Sequence, residues 1–546
     1  MRVVYVKDYV TLPCEDAAEG IGKAIAEAKR TDADVLQFEE GIYPLKTFFS
    51  HDTDQTAHDA EAEYSATKDV HILLYGLKNI VISGKCDENN NPLTVLEGVN
   101  DLKLHSIMPS VLWVDSGENI TVQNLKFKRN PEFASSGQIV KVDKDTVIVE
   151  VFEGNPCYDN MGTYCMNRFT TTGELSGESL SYGGGLENNF RLIGERTLAL
   201  SDVGVASKVK KGDIVTFHQG AKTDFQCFFG NVNNLILKNL HTANSNGFAH
   251  LAFNIHDLTM ENVKFKPEGN QYFTAPRDAF KLHKCSGSIR VNEMYIEGVR
   301  MDGQNMHSNY LFPVEIVSEN IVKFFTRYSY LPLVDGSNME FYSDQDVKVV
   351  GIKSWICEGS AEKDGFYGHI YTVIFDGVLP SWLRNDTLCL AQCWEPDLYE
   401  CKNSRFVNIA GAGHLSRIDH MRISNCSYKN LMNSGILLGA EFPNHTEGGH
   451  ATDIHITDCV FDNCGETARY GAYGCIGIKS DGLPGKNNRD IHIERCVFRN
   501  SKTGIDIHDA DDVYIRNCVF DNIDKEICTD DSCGRISVEC QTCKNI

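Results

Sequence analysis

Asp453-Ile-His-Ile-Thr-Asp-Cys-Val-Phe-Asp-Asn-Cys464 returns as Asp490-Ile-His-Ile-Glu-Arg-Cys-Val-Phe-Arg-Asn-Ser501, and again as Asp512-Val-Tyr-Ile-Arg-Asn-Cys-Val-Phe-Asp-Asn-Ile523. Within each copy the apolar residues alternate with period two, which predicts strands rather than helices. A polar turn built on Asn or Asp separates two short strands. A looser copy is His420-Met-Arg-Ile-Ser-Asn-Cys-Ser-Tyr-Lys-Asn-Leu431. Earlier ones begin at Asn119, Asn234 and Asp257. Spacings between copies include 22, 23 and 37 residues. The short spacings suit one turn of a β-solenoid, and the long one suits a turn carrying a loop. A single coil cannot bury its apolar face, whereas stacked coils at about 4.8 Å per rung can. The expected fold is therefore all-β, a right-handed parallel β-helix.

Other segments are read outward from that repeat. Cys426, Cys459, Cys496 and Cys518 share one repeat position. They are expected to form an inward ladder of small apolar side chains. Residues 15–32 are Ala- and Lys-rich and predict a short helix that caps the first coil, followed by a strand at Val35 and a turn through Glu40–Pro44. Two stretches break the rhythm and are expected to be inserted β-barrels or sandwiches, at 129–220 and 312–400. The resulting division is a cap and first coils (1–128), the first insert, central coils (221–311), the second insert, and C-terminal coils (401–546).

The chain has 546 residues and a formal net charge of −23. That acidity opposes contact with nucleic-acid backbones. No apolar run approaches the roughly 18 residues of a membrane span, and the first residues lack the apolar core of a secretory leader. A cytoplasmic location is the corresponding expectation, with the 20 Cys mostly reduced. Cys528, Cys533, Cys540 and Cys543 are dense enough to raise a structural zinc site, but their gaps suit one less well than paired CxxC motifs, and free thiols are preferred. No cofactor is expected, and monomer and homo-oligomer both stay open.

The chemistry is expected in Arg277–Tyr310. Asp278 and Asp302 lie 24 residues apart, about one coil, so they should face the same way on neighbouring rungs. Paired carboxylates at such range serve glycoside hydrolysis: one protonates the leaving group, the other activates water or attacks. The alternative is that these aspartates merely cap coils, as strand-end Asp does throughout such folds. Asn305 and His307 are candidate substrate ligands. Strict alternation would turn them away from Asp302 unless the strand bulges at Gly303. Arg277 and His250 are further candidates, as are Arg417, Glu441 and Glu447, the last three otherwise solvated loop charges.

These motifs resemble glycoside hydrolase family 110, the inverting α-1,3-galactosidases. The resemblance runs through Leu240-His-Thr-Ala-Asn-Ser-Asn-Gly-Phe-Ala-His-Leu-Ala-Phe253, Arg277-Asp-Ala-Phe-Lys-Leu-His-Lys-Cys-Ser-Gly287 and Asp302-Gly-Gln-Asn-Met-His-Ser-Asn-Tyr310. It continues through Ser434–Glu441 and Glu447–Ile456. It implies a β-helix with inserted barrels and an exo-acting, inverting cleavage of a terminal α-linked sugar. Asp278 matches a catalytic carboxylate, and Asp302 the second member of an Asp-Asp pair. Met301 stands where the resemblance implies the first, acid member, so either aspartate here has taken that role or the chemistry differs. The competing readings are another β-helix carbohydrate enzyme (a lyase, an epimerase or a glycosyl-transferring enzyme) and a sugar-binding β-helix without catalysis.

Overall fold

The computed structural model describes residues 1–51, 69–101, 108–220, 225–327, 330–343, 347–441, 446–467, 472–480 and 488–540. Its body is a 29-stranded sheet wound as stacked coils, almost every pairing parallel. The repeats lie in register. Ile454 pairs with Ile491 and Ile491 with Val513, while Phe461 pairs with Phe498 and Phe498 with Phe520. Inside the coil, Phe406, Tyr428, Phe461, Phe498 and Phe520 form a continuous ring stack, with centroids 5.0, 4.7, 5.1 and 5.0 Å apart. The four repeat cysteines are buried in the same core. Their thiols donate to carbonyls of their own or the preceding coil, as Cys459 Sγ does to Thr457 O at 3.2 Å.

The Asn turns have a conformational cause. Asn403, Asn425 and Asn430 have φ of 54°, 53° and 57°. Asn tolerates this left-handed region better than other side chains with a Cβ. Stacked turns then link their amides: Asn425 Nδ2 donates to Asn403 Oδ1 at 2.7 Å, and Asn403 Nδ2 to Asn292 Oδ1 at 2.8 Å.

At the N-terminus, helix Ala18–Arg30 lays Ala18, Ile21, Ala24, Ile25 and Ala28 on the first coils. The segment expected to turn at Glu40–Pro44 instead forms the strand Gly41–Leu45, because it pairs with Thr94–Val99 as part of a coil. The first insert is an open six-stranded antiparallel sheet running from Ala134–Val142 to Ile214–His218, not a closed barrel. The second closes as a barrel between Leu311–Ser318 and Cys389–Ala391. The first insert is fastened to the coils by polar bonds. Gln271 Nε2 donates to Ala134 O at 3.1 Å, and Leu175 N donates to Asn408 Oδ1 at 3.1 Å. Among the described residues no helix is long and apolar enough to cross a membrane.

Candidate active site

Strands Phe248–Phe265, Phe280–His283, Gln304–Asn309 and His414–Ser416 pair in parallel, rung on rung. Lys281 is thereby beside Asn305, and His283 beside His307. Asp278 and Asp302 each precede their strand by two residues, and the backbone stacks them: Ala279 N donates to Asp302 O at 3.0 Å. Asp302 N donates to Asp278 Oδ1 at 3.2 Å, and Ala412 N to Asp302 Oδ1 at 2.8 Å. The two carboxylates therefore occupy one column on adjacent rungs, and both are buried.

Asn305 shares their side of the sheet despite the parity argument. A Cβ on Gly303 would meet Phe406 and Ile409 in the core, and the next residue, Gln304, also points inward, accepting from the Tyr399 hydroxyl at 2.6 Å. Two successive inward residues reset the alternation. Asn305 Nδ2 then reaches Asp278 Oδ2 at 3.3 Å, and Arg417 Nη1 lies 3.5 Å from Asn305 Oδ1.

Arg417, Glu441 and Glu447 are not solvated loop charges. Glu447–Gly448 folds back as an antiparallel strand on Ser308 and Asn309, which carries Glu447 to the column. Its carboxylate lies 3.1 Å from Arg417 Nη1, 3.6 Å from Lys281 Nζ and 3.4 Å from His307 Nε2. Arg417 Nη2 pairs with Glu441 at 3.0 Å. Lys281 takes its place beside Asn305 from the register of the two strands.

Burial, and next the charge of Asp302, push the Asp278 carboxyl up from 3.8 to about 6, against the pull of Lys281 and Arg277. Asp278 thus keeps its proton into the range where an acid catalyst is useful. Burial lowers His307 from 6.5 to about 3, so it is neutral at pH 7. Its Nδ1–H donates to Ser308 O at 2.7 Å, and Nε2 lies 3.4 Å from the Glu447 carboxylate.

His250 is a correction. It points into the coil among Phe127, Phe229, Phe265 and Phe280, and Nε2 meets Thr242 Oγ1 at 2.9 Å. In that apolar setting its pKa falls to about 3. Its register partner is the core residue Phe280, so it belongs to the interior and not to the column. Arg277 stays near the carboxylates, its guanidinium 5.0 Å from the Phe248 ring centre. Of the C-terminal cysteines, Cys528 and Cys540 are half-buried thiols, Cys533 Sγ donates to Ile507 O at 3.2 Å, and Cys543 falls outside the described residues. No group of three metal-binding side chains converges among the described residues.

Sequence reasoning missed Tyr182, which arrives from the first insert. Its hydroxyl lies 2.9 Å from Met301 Sδ, its ring sits 5.2 Å from the Arg300 guanidinium, and it feels the charges of Arg277 and Asp278. Arg300 itself donates to Ser179 of the same insert. No spacing signal links residue 182 to 301.

No family model matches the chain. It is similar to a protein named α-1,3-galactosidase A from Bacteroides fragilis, at 22% identity over 522 residues, 91% of this chain and 82% of that protein. A protein of the same name from Bacteroides thetaiotaomicron is 20% identical over 524 residues, 90% of this chain and 86% of its own length. Among solved structures, a mannuronan C-5 epimerase A-module from Azotobacter vinelandii overlays with TM-score 0.42 at 12% identity, covering 98% of this chain and 99% of that one. An exopolygalacturonase from Thermotoga maritima overlays with TM-score 0.40 at 10% identity, covering 98% and 92%. Along nine-tenths of its length, then, the chain is similar to bacterial proteins named α-1,3-galactosidase A.

Proposed function

We propose that the protein is a glycoside hydrolase, exo-acting and inverting, that removes a terminal α-linked sugar of the α-1,3-galactoside kind. The observation that carries this reading is the Asp278–Asp302 column, in which one carboxyl is held protonated to about pH 6 beside the other. Asp278 serves as the acid that protonates the departing oxygen. Asp302, fixed by Ala412 N, serves as the base that takes a proton from water. Met301 has no proton to give, which is why the acid role is assigned to Asp278. Asn305, Arg417 and His307 are assigned to sugar hydroxyls. The similarity to proteins named α-1,3-galactosidase A supports the substrate class.

Proton NMR of the protein with galactosyl-α-1,3-galactose tests this. Release of β-galactose first is expected, with Asp278→Asn and Asp302→Asn each slowing it by about 10²-fold or more. α-Galactose released first would overturn inversion, and no cleavage by folded protein would overturn the galactoside. A second reading, a lyase or epimerase acting on uronates, draws on Arg277, Lys281, Lys284 and Arg300, all buried close to the aspartates in sequence. Unsaturated product absorbing in the ultraviolet would favour a lyase.

A further inference from the structure

The first insert sends one aromatic side chain to the coil that carries Asp302. Tyr182 is 45% exposed, yet it is held at both ends. Its backbone is pinned through its neighbours: Ser181 N donates to Met166 O at 3.3 Å, and Gly183 N to Tyr164 O at 3.1 Å. At the far end its hydroxyl donates to Met301 Sδ at 2.9 Å. The Arg300 guanidinium lies over the ring, 5.2 Å from its centre, and that guanidinium is fixed in turn by Ser179 of the same insert.

A single exposed aromatic is ordinary on a protein surface. Two things set Tyr182 apart. The first is its place. It rests on the two residues that precede Asp302, near enough to the column to feel the charges of Arg277 and Asp278. The second is what it presents. The hydroxyl is turned onto sulfur, and the guanidinium covers one ring face, so the exposed surface falls to the opposite face and the rim. A flat apolar face beside two carboxylates suits the C–H face of a sugar ring, whose hydroxyls then turn to the polar side chains of the column. Because the ring is already fixed, little ordering is left for the ligand to impose.

We propose that Tyr182 is a substrate-binding residue, its ring the platform on which a pyranose stacks next to the bond cleaved at Asp278 and Asp302. The first insert then completes the site instead of merely decorating the coils. The place of that sugar beside the cleaved bond rests on the hydrolase reading above; the stacking of a sugar on Tyr182 does not.

The test is calorimetric titration of Asp302→Asn protein, in which turnover is suppressed and binding alone is read. The probes are galactosyl-α-1,3-galactose and digalacturonate. Adding Tyr182→Ala is expected to weaken binding of the disaccharide that the protein takes at least about tenfold, and adding Tyr182→Phe less than about twofold. Tyr182→Leu keeps bulk against Met301 but offers no flat face; it is expected to weaken binding about fivefold, and it decides the matter if Tyr182→Ala fails to fold. Tyr182→Trp is expected to keep the affinity and to add tryptophan emission that changes as disaccharide is added. Binding indifferent to Tyr182→Ala and Tyr182→Leu, equal losses in Tyr182→Phe and Tyr182→Ala, unchanged emission, or no binding of either probe overturns the platform. Ring-dependent binding in a parent protein that cleaves neither probe retains the platform and overturns the hydrolase. Cleavage by the parent with binding indifferent to the ring does the reverse.

Discussion

Asp278→Asn is expected to make the protein more stable at neutral pH while removing hydrolysis. Folding raises the Asp278 carboxyl from 3.8 to about 6, chiefly by burial. The folded state therefore binds more protons than the unfolded state between those values, and stability falls as pH rises through that window. A shift of about 2 units corresponds to roughly 3 kcal/mol, fully lost above about pH 6. Asparagine carries no charge at any pH and still accepts the Asp302 N–H through its carbonyl. With about 2 cal/mol/K of unfolding entropy per residue, a chain of 546 residues moves about 0.9 °C per kcal/mol. Scanning calorimetry should thus place the variant's melting point about 2.5 °C above the parent's at pH 7.5 and close to it at pH 3.5. Other titrating groups are common to both proteins, so the difference reports on the aspartate pair. A variant less stable at pH 7.5, or offset equally at both pH values, would refute the claim that burial holds a proton on Asp278.

Three other outcomes are expected. Glu447→Gln removes the carboxylate beside Arg417, His307 and Lys281; breaking a buried pair costs about 3–5 kcal/mol, a melting point lower by about 3–4 °C, and substrate affinity should fall with it. Phe461→Ala interrupts the ring stack and should cost a similar 3–5 kcal/mol by calorimetry, with kcat and KM unchanged. His250→Phe should blunt acid sensitivity. Because folding lowers His250 from 6.5 to about 3, the unfolded state takes up the proton first and stability drops below pH 6.5. The parent should lose about 2 kcal/mol more than the variant between pH 6.5 and 5, read as a melting-point difference of about 2 °C.

The coils were legible because identical register repeats the same residues at the same place. Phe461 and Phe498 hold the same place in their repeats and so stack in one inward column. The aspartate column was legible for the same reason, since 24 residues is close to one coil. Alternation failed where it was applied across a coil corner. Gly303 and Gln304 both face inward, so Asn305 reaches Asp278, a result that depends on the corner just before the strand and not on period. His250 misled because it lies about one coil before Asp278, while its register partner Phe280 is core. Tyr182 was out of reach. It meets Met301 only because a separate sheet is bolted to the coils through Gln271 and Asn408, and such docking leaves no periodic trace.

The inserts also impose a schedule on synthesis. Strand Ser110–Asn130 takes its next coil partner from Phe225–Thr242, as in Leu112 with Cys227 and Ile120 with Leu235, 115 residues later. At about 5–20 residues per second, that strand waits roughly 6–23 s with its backbone edge open, whereas C-terminal coils 22 residues apart close within roughly 1–4 s. An open edge of that kind invites other chains. The first insert, whose antiparallel strands pair among themselves, is complete before the edge is covered. Ribosome-held chains of 220 residues are accordingly expected to be cut by protease within 110–130 more readily than chains extended past residue 265; equal cutting would show that the edge is shielded earlier.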